Sequence, residues 1–267
     1  MANDKRDSKV SAAGHQLRVR WFAARQSPNQ PVIVLLHQGL GSVSQWRSFP
    51  EVLAAATGCA VVGYDRWGHG ASDVLTGARP SHFIETEARD ALPEVLDALE
   101  IARPIIYGHS DGGSIALEFA ASFPDRPLAT ISEAAHVFSE VNASGGFDEV
   151  VAAFETGDLR PRLERHHGAN VDAMFWGWVN IWRSPQMQGW RMTDRLHRIR
   201  CPLLVMQGTN DEHGSPAQVE TIAAEVSGPV ETWMAPGFAH SLHLEATDAV
   251  AEKCAAFLRR AGLISGA

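Results

Sequence analysis

Ile105-Ile106-Tyr107-Gly108-His109-Ser110-Asp111-Gly112-Gly113-Ser114-Ile115-Ala116-Leu117 is the stretch on which the fold turns. An apolar, β-branched run leads into Gly-His-Ser-Asp-Gly, and the residues beyond it return at helical spacing, so the serine is expected on a sharp turn from strand to helix. Glycines two positions to either side of Ser110 have a steric reason. The turn is strained and the helix packs close to the strand, leaving no room for a Cβ there. The plainer alternative is a glycine-rich turn whose serine caps a helix over 112–123.

Working outward, short continuous apolar runs ended by polar residues mark strands covered on both faces: Val32–His37, Ala60–Asp65, Ile105–Tyr107, Leu128–Ile131 and Leu203–Gly208. Val230–Ala235 is a further strand, and Gln16–Phe22 alternates polar and apolar as a half-exposed antiparallel edge should. Between them lie helical patterns over Gln45–Ala56, Phe83–Glu100, Gly113–Phe123, Pro216–Val226 and Asp248–Ala261. This alternation specifies an α/β chain with a mostly parallel, doubly wound sheet, whose ligands belong at the carboxyl ends of the strands.

One interval breaks the pattern. From Glu133 to Leu203 no strand pattern occurs, while Trp176, Trp178, Trp182 and Trp190 supply four of the chain's eight tryptophans. A structureless loop of that length is unexpected in a compact domain. Residues 139–200 therefore read as a helical cap inserted after the sixth strand, with 1–138 and 201–267 forming the core. His136, Phe138, Trp176, Trp178 and Trp182 are the candidate substrate contacts, an aromatic roof over an apolar ligand; equally, such rings can form the cap's own small core.

With 267 residues the chain can bury a large core. A net charge of −8 without basic clusters argues against nucleic acid or an anionic membrane as partner, and no run is long enough to span a bilayer. The charged, polar start, Met1–Ser11, has no apolar signal region, so a cytoplasmic location is expected. Cys59, Cys201 and Cys254 stand far apart beside apolar runs and read as buried free thiols rather than a disulfide or zinc framework. A homo-oligomer is compatible with everything above.

A serine hydroxyl is a poor nucleophile at neutral pH and needs an adjacent base that is itself oriented by an acid. Thr209-Asn210-Asp211-Glu212 puts a carboxylate after the Leu203–Gly208 strand, and Pro236-Gly237-Phe238-Ala239-His240 puts an imidazole after the next. The order Ser110, Asp211, His240 is that of a strand-turn-helix serine hydrolase.

These pieces together resemble the α/β-hydrolase superfamily over residues 15 to 263, in its serine esterase and meta-cleavage-hydrolase branch. Leu35-Leu36-His37-Gln38-Gly39-Leu40-Gly41-Ser42 is similar to the family's H-G-x-G oxyanion loop, and Asp65-Arg66-Trp67-Gly68-His69-Gly70-Ala71-Ser72 to its D-x-R-G-x-G-x-S segment. Gly208–Asp211 and His240–Glu245 match its acid and histidine loops. The resemblance implies a triad of Ser110 as nucleophile, His240 as base and Asp211 as orienting acid. It implies an oxyanion hole from the N–H of Asp111 and that of Gln38 or Gly39, helped by the positive end of the following helix. Two departures stand out. Gln38 replaces a usual glycine, so either its amide lines the hole or the loop is shifted by one residue. Asp111 puts a carboxylate beside a site for negative charge and is expected to point away.

Rivals exist for each role. Glu133 and Glu212 compete with Asp211, and His243 with His240. His37 and His109 read as supporting hydrogen-bond partners, His69 and Arg66 as braces of their loop, and His166-His167 as a solvated surface. A serine elbow, not an aspartate one, points to acyl transfer to water: hydrolysis of a carboxylic ester or lactone of a small, largely apolar or aromatic substrate, with no metal or organic cofactor. The alternatives are C–C bond hydrolysis of a ring-cleavage diketone, for which Arg160, Arg162, Arg165, Arg183 and Arg191 could form a carboxylate pocket, and a ligand receptor on the same fold.

Overall fold

The structure, a computed structural model, describes residues 7–140 and 145–265; residues 1–6 of the polar start and 141–144 of the inserted interval lie outside the described residues. Among the described residues one sheet carries eight strands: β1 (Asp7–Ala12), β2 (His15–Ala23), β3 (Val32–Leu36), β4 (Ala60–Tyr64), β5 (Ile105–His109), β6 (Ala129–Glu133), β7 (Leu203–Gly208) and β8 (Val230–Ala235). Their order is β1-β2-β4-β3-β5-β6-β7-β8. From β4 to β8 neighbours run parallel, and β1 and β2 are antiparallel additions.

The apolar runs become strands because both faces are covered. Ile33, Leu35, Val61, Ile105 and Tyr107 pack with Leu53, Cys254 and Phe257 of the helices Phe49–Thr57 and Thr247–Arg260. The alternate residues Val34, Leu36, Val62 and Ile106 pack with Phe83, Leu92, Ile115 and Phe119 of the opposite layer. Each strand thus sends successive side chains into two cores, which removes the polar alternation a half-exposed strand would keep. The Phe83 pattern forms a helix in three consecutive pieces, with a π-helical turn at Glu87–Ala91 between Phe83–Thr86 and Leu92–Ala98.

The expected edge is displaced by one strand. β2 is antiparallel as its alternation implies, but it is paired on both sides, and β1 is the edge. Asp-Ser-Lys-Val-Ser-Ala is polar because an edge strand is wet and protected by charge. The turn to β2 has positive φ at both Ala13 and Gly14, the twist a two-residue hairpin requires.

Between β6 and β7 lie helices Gly145–Glu155, Leu159–His167, Val171–Trp182 and Thr193–Leu196, with one isolated bridge, Phe138 to Arg191. Phe147, Phe154, Leu163, Val171, Met174, Phe175 and Val179 form a common core of the first three, in which the Phe154 and Phe175 rings stack at 3.6 Å, while Leu196 of the fourth packs with Leu203 and Val205 of β7. His167, read from sequence as solvated, is buried. It accepts from Gly70 N (2.9 Å) and its other ring nitrogen bonds Leu40 O (3.1 Å), joining these helices to two loops of the sheet. Burial pulls it down to about 4, which keeps the ring neutral and able to do both.

The three cysteines are free and buried. Among the described residues no helix is long and apolar enough to cross a membrane.

Candidate active site

Ser110 caps the helix Asp111–Ser122 with φ 56° and ψ −120°, a conformation that side chains rarely adopt. The glycines make the turn possible. A Cβ on Gly108 would stand 2.0 Å from Gly112 O, and one on Gly112 would stand 2.0 Å from Leu36 O. Backbone bonds hold the serine: Ser110 N donates to Glu133 O (2.9 Å) and Ser110 O accepts from Ser114 N (3.0 Å). Its neighbours on both sides are buried, while Ser110 itself is partly exposed.

The ends of β7 and β8 deliver a histidine–carboxylate pair. Thr209 N donates to Ala235 O and Asn210 N to Phe238 O, both at 2.9 Å, which locks the two loops together. Across them His240 Nδ1 donates to Asp211 Oδ1 at 2.8 Å, and the same oxygen accepts from His213 N (2.9 Å) and Gly214 N (3.3 Å). Burial pushes the Asp211 carboxyl up, but the His240 bond and charge and the His213 N–H outweigh it, so the acid titrates below its ordinary range. His109 Nε2 donates to His240 O (2.9 Å) and fixes the histidine's backbone; burial takes His109 down to about 3, so that ring stays neutral. Among the described residues the Ser110 hydroxyl makes no hydrogen bond to His240.

The loop after β3 is held by its carbonyls. Gln38 O accepts from Arg66 Nη2 (2.8 Å), Gly41 N (3.0 Å) and His37 Nδ1 (2.8 Å). The peptide is planar and trans, so drawing Gln38 O to one side turns Gly39 N–H to the other. Gly39 O is in turn bonded by the His69 ring at 3.0 Å.

A model of the alpha/beta hydrolase fold matches residues 31–177. The chain belongs to the α/β hydrolase fold family. It is 22% identical to a bifunctional esterase/perhydrolase of Acinetobacter calcoaceticus over 87% of this chain and 93% of that one. It is 36% identical to protein phosphatase methylesterase 1 of Bos taurus, over 34% of this chain; that match spans only 24% of the relative's length. A membrane phospholipase A of known crystal structure shares the fold with a TM-score of 0.77 and 18% identity, over 96% of this chain and 86% of the other.

In this chain the Asp111 carboxyl does not point away from the loop after β3. A Cβ on Gly39 would lie 2.8 Å from Asp111 Oδ2 and 2.2 Å from Trp178 Nε1, so acid and indole both close on the loop. Burial pushes the Asp111 carboxyl up against the pull of Arg66, His136 and Arg79. The expectation from the helix end failed because the first helical residue after so tight a turn is itself 97% buried, its exposure being 3%.

Of the candidate substrate contacts, the structure brings three to this place. His136 lies 5.8 Å from the Trp182 ring and 6.5 Å from the His240 ring, and Trp178 abuts Gly39. His136 Nε2 donates to His213 O (2.8 Å), leaving Nδ1 buried, unpartnered and in its acceptor form. Trp176 instead packs edge-on against Phe154 and Phe175 inside the inserted helices. Phe138 packs instead against a cluster of Val137, Met192, Leu196, Leu117 and Val205.

The rivals separate cleanly. Glu133 faces His243, not His240: its oxygens accept from His243 Nδ1 (2.9 and 3.0 Å), His243 N (3.1 Å) and Tyr107 Oη. Glu212 is exposed beside His213. His109, Glu133 and His243 come close enough together to suggest a metal site, but Glu133 and the bonded nitrogens of both rings are already engaged within the protein. A cleft of about 370 Å³ lies beside the loop after β3, lined by His37, Gln38, Trp46, Arg162, His166 and His243.

Three of the five inserted-segment arginines are paired at the surface: Arg160 with Asp172 and Glu164, Arg162 with Asp158, Arg183 with Asp148. The buried guanidiniums belong to Arg66 and Arg79 of the sheet loops. Arg79 carried no signal in the sequence, since nothing in a Gly-Ala-Arg-Pro loop marks its side chain as turned inward.

Proposed function

We propose that this chain hydrolyses a carboxylic ester or lactone of a small, largely apolar or aromatic substrate through Ser110, His240 and Asp211. The observation that carries the reading is the 2.8 Å bond from His240 to Asp211, at the strand ends where the strained Ser110 turn also opens. Ser110 Oγ attacks the carbonyl carbon and His240 Nε2 takes the hydroxyl proton, a bond that closes once substrate fills the site. Asp211 holds Nδ1 protonated and so leaves Nε2 the base. The oxyanion meets Gly39 N–H and Asp111 N–H at the start of a helix. His240 then protonates the departing alcohol, and water, deprotonated by the same ring, releases the acyl group. Residues 139–200 serve as the lid, with Trp178, Trp182 and His136 as its inner wall. The reaction calls on no metal or organic cofactor.

Turnover of p-nitrophenyl butyrate tests this. Wild-type protein is expected to hydrolyse it with EDTA present and to be labelled at Ser110 by a fluorophosphonate. Ser110→Ala is expected to lose at least about 10^4-fold in kcat while folding normally. Wild-type binding without turnover would favour the receptor reading and end this one.

A further inference from the structure

We propose that His167, a residue of the inserted helices, positions the Gly39 N–H for the reaction by holding the Leu40–Gly41 peptide of the loop after β3. The proposal deepens the ester-hydrolase reading and rests on it. His167 touches no reacting atom, and through it the inserted segment sets a donor of the site as well as covering it.

The case begins with carbonyls. Three successive ones in the loop are each held by a side chain from outside it: Gln38 O by Arg66 Nη2 (2.8 Å), Gly39 O by the His69 ring (3.0 Å) and Leu40 O by His167 Nε2 (3.1 Å). Arg66 and His69 belong to the loop after β4. The Asp65 carboxylate ties that loop to the end of the same turn by accepting from Val43 N (2.7 Å) and Ala71 N (2.9 Å). His167 comes from elsewhere in the chain. Among the described residues it is the one side chain of the inserted helices hydrogen-bonded to the backbone of residues 38–41.

Two peptide planes carry this bond to Gly39. Leu40 O and Gly41 N–H lie on one planar trans peptide and point opposite ways. Leu40 O is drawn to His167, and Gly41 N donates to Gln38 O (3.0 Å), which closes a turn over 38–41. Gln38 O shares the next plane with Gly39 N–H, so holding the first plane helps to fix the direction of the second. Glycine stands at both 39 and 41, and a turn of that composition keeps its conformation only while its polar groups are held.

The imidazole suits a bond of fixed direction. It is buried and accepts at Nδ1 from Gly70 N (2.9 Å), which leaves the proton on Nε2, toward Leu40 O. Asn170 donates to Gly70 O (3.2 Å) and Ser72 O (2.9 Å), and His166 Nδ1 bonds Ser44 Oγ (2.8 Å). Residues 166–170 therefore bond to both loops, and the His167 ring stands 6.1 Å from the His69 ring that holds the neighbouring carbonyl. Apolar side chains could join these surfaces; a neutral ring with one donor and one acceptor also sets the angle of the peptide it bonds.

Two substitutions of similar size split the two bonds. A Gln amide carries its nitrogen near the place of Nε2 and keeps the donor to Leu40 O, whereas an Asn amide carries its oxygen near the place of Nδ1 and keeps only the acceptor for Gly70 N. Each variant is measured in p-nitrophenyl butyrate turnover and in calorimetric binding of a trifluoromethyl alkyl ketone and its methyl ketone parent. Ser110 Oγ adds to the fluorinated carbonyl, His240 takes the serine proton and the carbonyl oxygen becomes an oxyanion, so this ketone reports the loop's donor without turnover. His167→Asn is expected to lower kcat and trifluoromethyl ketone affinity together by about 10- to 100-fold, with KM and methyl ketone binding within about threefold of wild type. His167→Gln should stay within about threefold of wild type in every readout. Phe154→Leu, which loosens the core of the same helices away from the loop, should lower the melting temperature and leave kcat unchanged. Equal behaviour of the Asn and Gln variants overturns the proposal, as does a Phe154→Leu protein with the same fall in kcat. Should His167→Asn not fold, His167→Phe, which fills the space of the ring and lacks both bonds, takes its place with the same expectation. Ketone binding that depends on His167 in a protein without esterase activity keeps the positioning role and removes the ester-hydrolase reading. Ester turnover that ignores His167→Asn does the reverse, and a wild type that neither turns over ester nor binds the fluorinated ketone removes both.

Discussion

Two histidine–carboxylate pairs, whose histidines stand three residues apart in the chain, share nearly the same bond length and differ in what surrounds it. His240 holds Asp211 at 2.8 Å and His243 holds Glu133 at 2.9 Å. Asp211 sits in a loop, and its second oxygen is buried with no partner. Glu133 ends a central strand, and both of its oxygens are taken, by His243 and by Tyr107. His243 is packed against the rings of Trp46, Phe49 and His109, whereas His240 faces His136 and His213 across the mouth of the site. A bond between an acid and an imidazole therefore does not define a role. A pair whose hydrogen bonds are complete stabilises the fold, whereas the pair that keeps a buried carboxylate oxygen without a partner is the one proposed above to act in the reaction.

The widest gap between the pairs should appear in turnover. Asp211→Asn is expected to lower kcat by about 10^3 to 10^4-fold through loss of the useful tautomer, with a melting temperature close to wild type. Ester hydrolysis measured beside thermal unfolding checks this. If Asp211→Asn keeps its activity and Glu133→Gln loses it, the assignment of the two pairs is reversed.

Glu133→Gln should do the opposite, destabilising by on the order of 3 kcal/mol while a folded fraction still turns over substrate. Burial alone would push the Glu133 carboxyl up, but the His243 charge and the bonds from His243 and Tyr107 hold it down at about 2, against an ordinary 4.5. Between those values the unfolded chain binds a proton that the folded protein does not. This stabilisation is complete above about pH 4.5 and is lost as pH falls through about 2. Urea unfolding at a series of acid pH values should show that slope in wild type and a flatter one in Glu133→Gln.

What the sequence makes legible follows the same division. The run from Ile105 to Leu117 identifies strand, turn and helix because hydrophobic period and glycine sterics are local properties. Asp211 and His240 are legible because the end of a parallel strand fixes where the next residue stands. Side-chain direction is not local. Nothing in Ser-Glu-Ala-Ala at 132–135 tells Glu133 to turn toward His243, and nothing near Arg79 announces that its guanidinium goes inward. Asp111 was misread for that reason: its place at a helix end is visible, but the crowding by Gly39 and Trp178 that decides its direction comes from distant segments. Asp7–Ala12 carries no strand signal in the sequence because a polar composition does not separate a solvated start from a solvated edge strand.

The smallest effect is the one that isolates the buried pair. Tyr107→Phe removes a single hydroxyl from Glu133 and leaves the ring in its packing against Trp46 and Phe49. Glu133 keeps both contacts from His243, so the acid remains partnered and the loss should be about 1 to 2 kcal/mol, the worth of one hydrogen bond to a charged group. Removing a donor that favours the carboxylate should also let the Glu133 carboxyl rise from about 2, which shortens the acid window from below. Turnover should not change, because Tyr107 bonds a carboxylate that His240 does not use. A fall in kcat at constant stability would mean that the two pairs communicate through His109, whose ring touches both histidines, and the division between a structural and a reactive pair would have to be redrawn at that residue.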